Sequence, residues 1–336
     1  YSLLKGEKDS HLKIKNKQGD LMIDHERSEK GKFTYDSRFA VFTIKPWKDN
    51  IVEMKRSKIK KENMPKDSIG IYDINNNKLQ KIANVKSYKL PEKWSNYIAY
   101  TIETSNQKSN LKKKKKKDTS KIKLLKKNNS KNGYPLIIRD LNTSNEDTIP
   151  FVTSYYFAKE GKMLAYSTTG QKNKIKPGVY VKDLKSNLTK HVFDSHHKTK
   201  YFKLSLSDSG KNIGFVVDAD STKSYQRPFE LYSWNSKNDK AKLLVSKKNV
   251  PKGYRVSSDG NIKFSKDESK LYFGLALPEI VQDTLLLDEE IVNVEVWSYD
   301  EPRLYTVQEM QLKNDRKKSF LTAYHLKEDK LIQVAN

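Results

Sequence analysis

A short strand-like run ending in an aromatic side chain recurs five times, and this repetition constrains the fold more than any other feature of the sequence. The copies are Phe39-Ala40-Val41-Phe42, Tyr97-Ile98-Ala99-Tyr100, Met163-Leu164-Ala165-Tyr166, Asn212-Ile213-Gly214-Phe215 and Lys270-Leu271-Tyr272-Phe273. Most follow a polar turn: Tyr35 to Arg38, Lys159 to Lys162, Ser207 to Lys211 and Ser265 to Ser269. The Asp, Ser and Gly residues of these turns supply left-handed backbone and side-chain caps for tight hairpins. A second element recurs out of phase with the first, as Gly70 to Ile74, Leu136 to Leu141, Val179 to Leu184 and Glu230 to Trp234. Each copy alternates like a strand, enters a polar turn and is followed by another short strand, such as Lys78 to Ile82 or Leu188 to Val192.

Three or four short antiparallel strands per unit make a propeller blade, so the expected fold is an all-β propeller. The aromatic ends lie 58, 66, 49 and 58 residues apart, which suits blades with long loops. Blades are expected at about 11–44, 70–104, 134–169, 177–218, 229–276 and 292–336, within one partial propeller covering residues 1–336. An arc of five or six blades ending mid-pattern leaves two edges open, so the expectation is part of a seven- or eight-bladed ring. Apolar residues alternate or cluster in fours and fives between frequent breaks, and only Pro278 to Ile291 suits a helical turn or two.

The net charge of +25 raises the question of nucleic acid. Of 66 basic residues only 8 are Arg, whereas phosphate and base-edge recognition favours the planar guanidinium. Lys108 to Lys131 alone holds 12 Lys against one Asp. That stretch, with the run Lys112 to Lys117, has neither an aromatic to stack on a base nor an apolar period, so residues 105–133 are expected to be a solvated inter-blade insertion. An anionic partner at Lys112 to Lys117 is the minor alternative. Hydrophobic residues at 35%, with 19 Tyr, 12 Phe and 4 Trp, are enough to build a core. No run of 18 uncharged apolar residues is present to span a membrane. Zero cysteines exclude disulfides, thiolate metal sites and a cysteine nucleophile.

The sequence lacks GxSxG, GxGxxG, GxxxxGK[ST] and HExxH, so no catalytic, cofactor-binding or metal-binding residue is assigned and no cofactor is expected. The histidines are His11, His25, His191, His196, His197 and His325. The adjacent pair His196-His197 points opposite ways on an extended segment, poor geometry for sharing a metal. Asp218 and Asp220 share a face at a strand end, where a turn is the simpler reading than calcium. Asp288-Glu289-Glu290 reads as a solvated acidic loop, with a grip on a peptide amine as the alternative. Trp234, Trp297 and Tyr299 read as packing aromatics. Arg227 either binds a carboxylate or caps its turn.

The runs Gly161 to Thr168, Pro177 to Leu184 and Leu204 to Lys211, with Lys270 to Gly274 and Val294 to Glu301, resemble the propeller of prolyl oligopeptidase-family, dipeptidyl peptidase IV-like serine peptidases. The last two look like the large members from Bacteroidetes. This resemblance implies a propeller that gates peptide substrates for a C-terminal α/β-hydrolase domain of the same polypeptide, whose Ser, Asp and His would lie outside this chain. It also implies a periplasmic or secreted protein whose leader was removed before Tyr1. The alternative is a free-standing, non-catalytic propeller binding a protein or glycan.

Overall fold

The computed structural model describes residues 2–3, 9–103, 126–196, 198–222, 224–279, 281, 285–290 and 298–335. The chain is almost all β and divides into two compact units, residues 1–177 with 183–187 and residues 178–182 with 188–336. Both consist of antiparallel meanders of the β-propeller kind.

In the first unit, β1 (Ser2–Leu3), β2 (His11–Lys15) and β3 (Leu21–Glu26) form one sheet. Next, β4 (Ser28–Phe33), β5 (Phe39–Ile44), β6 (Ser68–Asp73) and β7 (Lys78–Ile82) form a four-stranded sheet in chain order. They are followed by β8 (Val85–Lys89), β9 (Tyr97–Ile102), β10 (Tyr134–Asp140), β11 (Glu146–Phe157) and β12 (Met163–Thr168), each paired with the next. β11 serves two neighbours. Its Glu146 to Ile149 pair with β10, its Ser154 to Phe157 pair with β12, and between them Phe151 holds a φ of +54°.

In the second unit, β13 (Gly178–Asp183) and β14 (Thr189–Asp194) form a hairpin. β15 (Lys200–Leu206), β16 (Asn212–Asp218), β17 (Glu230–Asn235) and β18 (Lys242–Val245) form a four-stranded meander. The last sheet holds β19 (Arg255–Val256), β20 (Lys263–Phe264), β21 (Lys270–Ala276), β22 (Phe320–His325) and β23 (Lys330–Gln333).

The repeated sequence elements occupy equivalent places. In the first-to-second-strand turn, the backbone N–H of Thr34, Ser207 and Ser265 donates to the carbonyl of Phe39, Asn212 and Lys270, at 2.9, 2.9 and 3.0 Å. The hydroxyl of the same residue accepts the N–H coming back, at 3.1, 3.1 and 3.0 Å. In the third-to-fourth-strand turn, Asp73, Asp140 and Asp183 accept the N–H groups two and three residues on, an Asx turn. Asn77, Ser144 and Asn187 close these turns with positive φ.

The aromatic-ended runs are the second strands. Val41, Phe42, Ile98, Ala99, Leu164, Ala165, Ile213, Phe215 and Leu271 are all fully buried, which is why these runs are apolar on both faces. Four of them pair with the element that follows within the same unit, as in Phe42 with Gly70, Tyr100 with Ile137, Phe215 with Tyr232 and Phe273 with Thr322. The sheets therefore run in a different phase from the expected blades. Boundaries at 44, 104, 218 and 276 would fall between paired strands, whereas two of the sheets run from Ser28 to Ile82 and from Lys200 to Val245. β22 and β23 likewise complete the sheet containing β21 instead of opening a new one at 292. The long second-to-third connection looks like a gap between blades, yet the hydrogen bonds cross it.

Two helices appear that alternation does not announce: α1 (Lys48–Arg56), between β5 and β6, and α2 (Tyr305–Asp315), between β21 and β22. Neither buries a residue. Within 278–291, the described residues include a single 3-10 turn at Asp288–Glu290.

In sequence, the lysine insertion expected between blades at 105–133 falls between β9 and β10, which pair with each other. Residues 104–125, with Lys112 to Lys117, fall outside the described residues. Its last part is held. The Lys126 ammonium donates to Thr169 O, Thr169 Oγ1 and Gly170 O at 2.9, 2.6 and 2.8 Å, over the Phe151 ring. Lys126→Met keeps the aliphatic stem and removes these bonds, so it is expected to lower the unfolding free energy by about 1–2 kcal/mol. A denaturation midpoint equal to that of the parent chain would show the contact to be idle.

Candidate functional site

The site that gathers most chemistry is a cleft of about 310 Å³ in the first unit, lined by β8, β9, the start of β10, Ser130, Gly133 and the second half of β11. Three register breaks meet there. On β8 the pairing passes from Val85 opposite Ile102 to Ser87 opposite Thr101, leaving Lys86 as the bulged residue. On β11 a break falls between Val152 and Ser154, and β10 has its own between Tyr134 and Leu136. Bulges re-aim side chains that strict alternation would send elsewhere, and here they bring Lys86 and Thr153 to the same cleft as Lys89 and Ser87. Phe151, an aromatic residue in the left-handed region, marks strain beside these breaks.

The Lys89 ammonium is half-buried. It donates to Tyr155 O at 2.9 Å and sits 3.1 Å from the centroid of the Tyr156 ring. Burial alone moves its pKa, down to about 8, with no carboxylate among the described residues holding it up. The Lys86 ammonium donates to the Tyr134 hydroxyl at 3.0 Å and lies 4.0 Å from Glu103. Ser87 Oγ bonds Thr101 Oγ1 at 2.9 Å and the Tyr155 hydroxyl at 3.0 Å. Burial pushes the Tyr155 phenol up to about 12, keeping it neutral. Thr153 and Ser154 both bond Ser167 Oγ. Among the described residues, no histidine or carboxylate lines the cleft. The arrangement is two cations, hydroxyls and aromatic faces, suited to a small anion, and among the described residues neither lysine bonds a serine or threonine hydroxyl.

A second, more open groove of about 1130 Å³ runs past Ile51 and Lys55 of α1, the segment from Lys60 to Asp67, Val85, Lys86 and Glu103. Two of its cations, Lys66 and Lys86, share Glu103. Lys66 lies 3.5 Å from Glu103 and donates to Lys61 O, while Asp67 takes Lys45 at 2.6 Å.

The residues singled out in the sequence are dispersed. Asp218 and Asp220 converge on Arg227, which caps its own loop: Arg227 Nε and Nη2 grip the Asp218 carboxylate at 2.8 Å each, and further N–H groups reach Asp220 O and Thr222 O. His196 bonds Ala219 O at 2.9 Å in a loop, while His197 lies outside the described residues. His191 stacks on Tyr180, with centroids 4.2 Å apart. His25 packs against Phe42 and contacts Ser28 Oγ, and its burial pulls its pKa below the usual imidazole value. His11 sits 3.3 Å from Asp24 and His325 3.6 Å from Glu328. Glu290 accepts from Leu287 N, and Glu289 and Glu290 are exposed. Trp234 is buried, Tyr299 is exposed and Trp297 is not described. Among the described residues, no three His, Cys, Asp or Glu side chains come together as metal ligands, and no helix is long and apolar enough to cross a membrane.

No protein-family model matches the chain, and no curated protein matches it. Among solved structures, it resembles the β-propeller domain of the Trilobed protease from Pyrococcus furiosus at 12% identity and a TM-score of 0.44, over 91% of this chain and 71% of that one. The tricorn protease matches at 11% identity and a TM-score of 0.43, over 98% of this chain and 28% of that one. An oligogalacturonate lyase in complex with manganese matches at 9% identity and a TM-score of 0.41, over 98% of this chain and 70% of that one. The likeness is one of fold.

Proposed function

We propose that this chain recognises peptides without transforming them, as the substrate-gating propeller region of a dipeptidyl peptidase IV-like serine peptidase whose α/β-hydrolase domain lies outside these residues. The observation that carries the reading is the cleft between β8 and β11, whose lysines bond Tyr155 O and the Tyr134 hydroxyl and whose serine and threonine hydroxyls bond one another, Ser167 and Tyr155, so that its lining offers binding groups with no lysine paired to a serine or threonine hydroxyl among the described residues. The segments that resemble this peptidase family support the peptide part of the reading. Gly161 to Thr168 covers the end of a first-to-second-strand turn and the second strand β12, Pro177 to Leu184 covers the third strand β13, and Leu204 to Lys211 covers another first-to-second-strand turn. In this reading the protein works in the periplasm or is secreted.

A fluorophosphonate probe labels activated serines whatever their substrate, and it is expected to leave this chain unlabelled. A longer product of the same gene is expected to be labelled at a serine outside these residues. Stoichiometric labelling of a serine within this chain overturns the recognition role. A longer product that stays unlabelled favours the free-standing propeller.

A further inference from the structure

We propose that the cleft between β8 and β11 is a carboxylate-binding site, with Lys89 and Lys86 as its cations, and that within the peptide-gating reading it holds the C-terminal carboxylate of a short peptide. Four independent observations meet at this place. The bulge at Lys86 turns a second ammonium toward the cleft that already holds Lys89. The Lys89 ammonium, half-buried with one carbonyl and the Tyr155 and Tyr156 rings for partners, has no carboxylate among the described residues to balance its charge, which an incoming anion would satisfy. The Ser87, Thr101, Thr153 and Ser154 hydroxyls line the same wall with the Tyr134 phenol, which accepts from Lys86 and keeps its own proton to donate to a carboxylate oxygen. The strained Phe151 and the adjoining register breaks hold these groups in an arrangement that packing alone would not select.

The volume narrows the ligand. At ~30 Å³ for each displaced water, 310 Å³ corresponds to about ten waters, room for one or two amino-acid residues and not for a folded partner. The backbone offers a second handle. Among the described residues, β8 is the outermost strand of its sheet and β11 beyond Val152 pairs only with β12, so an extended main chain finds two strand edges beside the lysines. A carboxylate could also arrive on a small organic acid, which carries the same charge without the main chain.

The probes are N-acetyl-dialanine with a free carboxylate, the same peptide as its C-terminal amide, and acetate, each titrated calorimetrically into the full 336-residue chain. The free acid is expected to bind at least about tenfold more tightly than the amide. Acetate binding as tightly as the peptide acid supports the carboxylate site and assigns it to small acids, whereas tighter peptide binding supports the C-terminus. Lys89→Met should cost about tenfold or more in acid binding, Lys86→Met should cost less, and Lys89→Arg should retain part of it.

Two further readouts separate recognition from mere support of the fold. Because Lys89→Met removes a half-buried ammonium without a carboxylate partner, the melting temperature should hold or rise while binding falls. Acid affinity should also weaken as pH rises through about 8, where Lys89 loses its proton. The groups facing it are Lys86 on β8, Thr101 on β9, Tyr134 on β10 and Tyr155 and Tyr156 on β11, with Glu103 beyond Lys86, and Tyr155 stays neutral through this range.

Equal binding of acid and amide, or undiminished acid binding by Lys89→Met, overturns the site. The two proposals fail separately. Carboxylate binding by a gene product that no fluorophosphonate labels sinks the peptidase reading alone, and a labelled product indifferent to the carboxylate sinks the site alone.

Discussion

Replacing Asp218 with alanine is expected to lower the unfolding free energy by about 3 kcal/mol, because it strips the bidentate partner from a guanidinium held inside its loop and leaves it with Asp220 alone, 3.4 Å away. Asp218 ends β16 at 1% exposure, and Arg227 meets it through two parallel N–H bonds of 2.8 Å. The same guanidinium ties down the carbonyls of Asp220 and Thr222 at 2.6 and 2.7 Å, so one side chain fixes the backbone of the loop leading to β17. Arg227→Leu should cost a similar amount by leaving the carboxylate buried alone. The double variant Asp218→Leu with Arg227→Leu should recover a large part of either loss, since removing both charges abolishes the desolvation cost. Urea unfolding of the three variants measures this. A loss below about 1 kcal/mol for Asp218→Ala would place the pair among ordinary surface ion pairs.

The second large effect concerns a contact between neighbouring strands. Phe42 on β5 is fully buried and lies opposite Gly70 on β6, where a Cβ would fall 2.5 Å from Phe42 Cε2. The ring covers the glycine, so the two residues share one volume. Phe42→Ala should cost about 3–5 kcal/mol through the cavity it opens. Gly70→Ala should cost about 1–3 kcal/mol by forcing that ring aside. In the Phe42→Ala background the added methyl meets no ring, and the Gly70→Ala cost should largely vanish. Strictly additive losses in a double-mutant cycle would refute the shared volume.

The strands and turns were legible in the sequence because both rest on local chemistry. Thr34, Ser207 and Ser265 cap their hairpins through residues five positions on, and Asp73, Asp140 and Asp183 cap through the next three. The pairing phase was not legible, since nothing local to Phe42 records that its partner Gly70 lies beyond α1. Both helices escaped notice because neither buries a side chain, and burial of one face is what gives a helix its apolar period. The cleft was missed for a related reason. Period-two alternation puts Lys86 and Lys89 on opposite faces, and only the bulge reconciles them. Two lysines three apart on a strand were the available signal, in a chain with 58 lysines to dilute it. Asp218, Asp220 and Arg227 stood out by residue type, but their roles needed the bidentate geometry.

The turns joining first to second and third to fourth strands are short and self-capped, while the second-to-third connection carries α1 in residues 45–67, the lysine insertion in 103–133 and α2 in 277–319. This asymmetry sets an order of events as the chain folds. The two hairpins of a meander can each form within microseconds from neighbouring residues, whereas joining them requires a long loop to close. Closure entropy grows only logarithmically, by about 0.6 kcal/mol for each doubling of loop length, so unequal insertions slow this joining step more than they weaken the product. One junction in each repeat is thus free to diversify, and its cost falls on the speed of assembly.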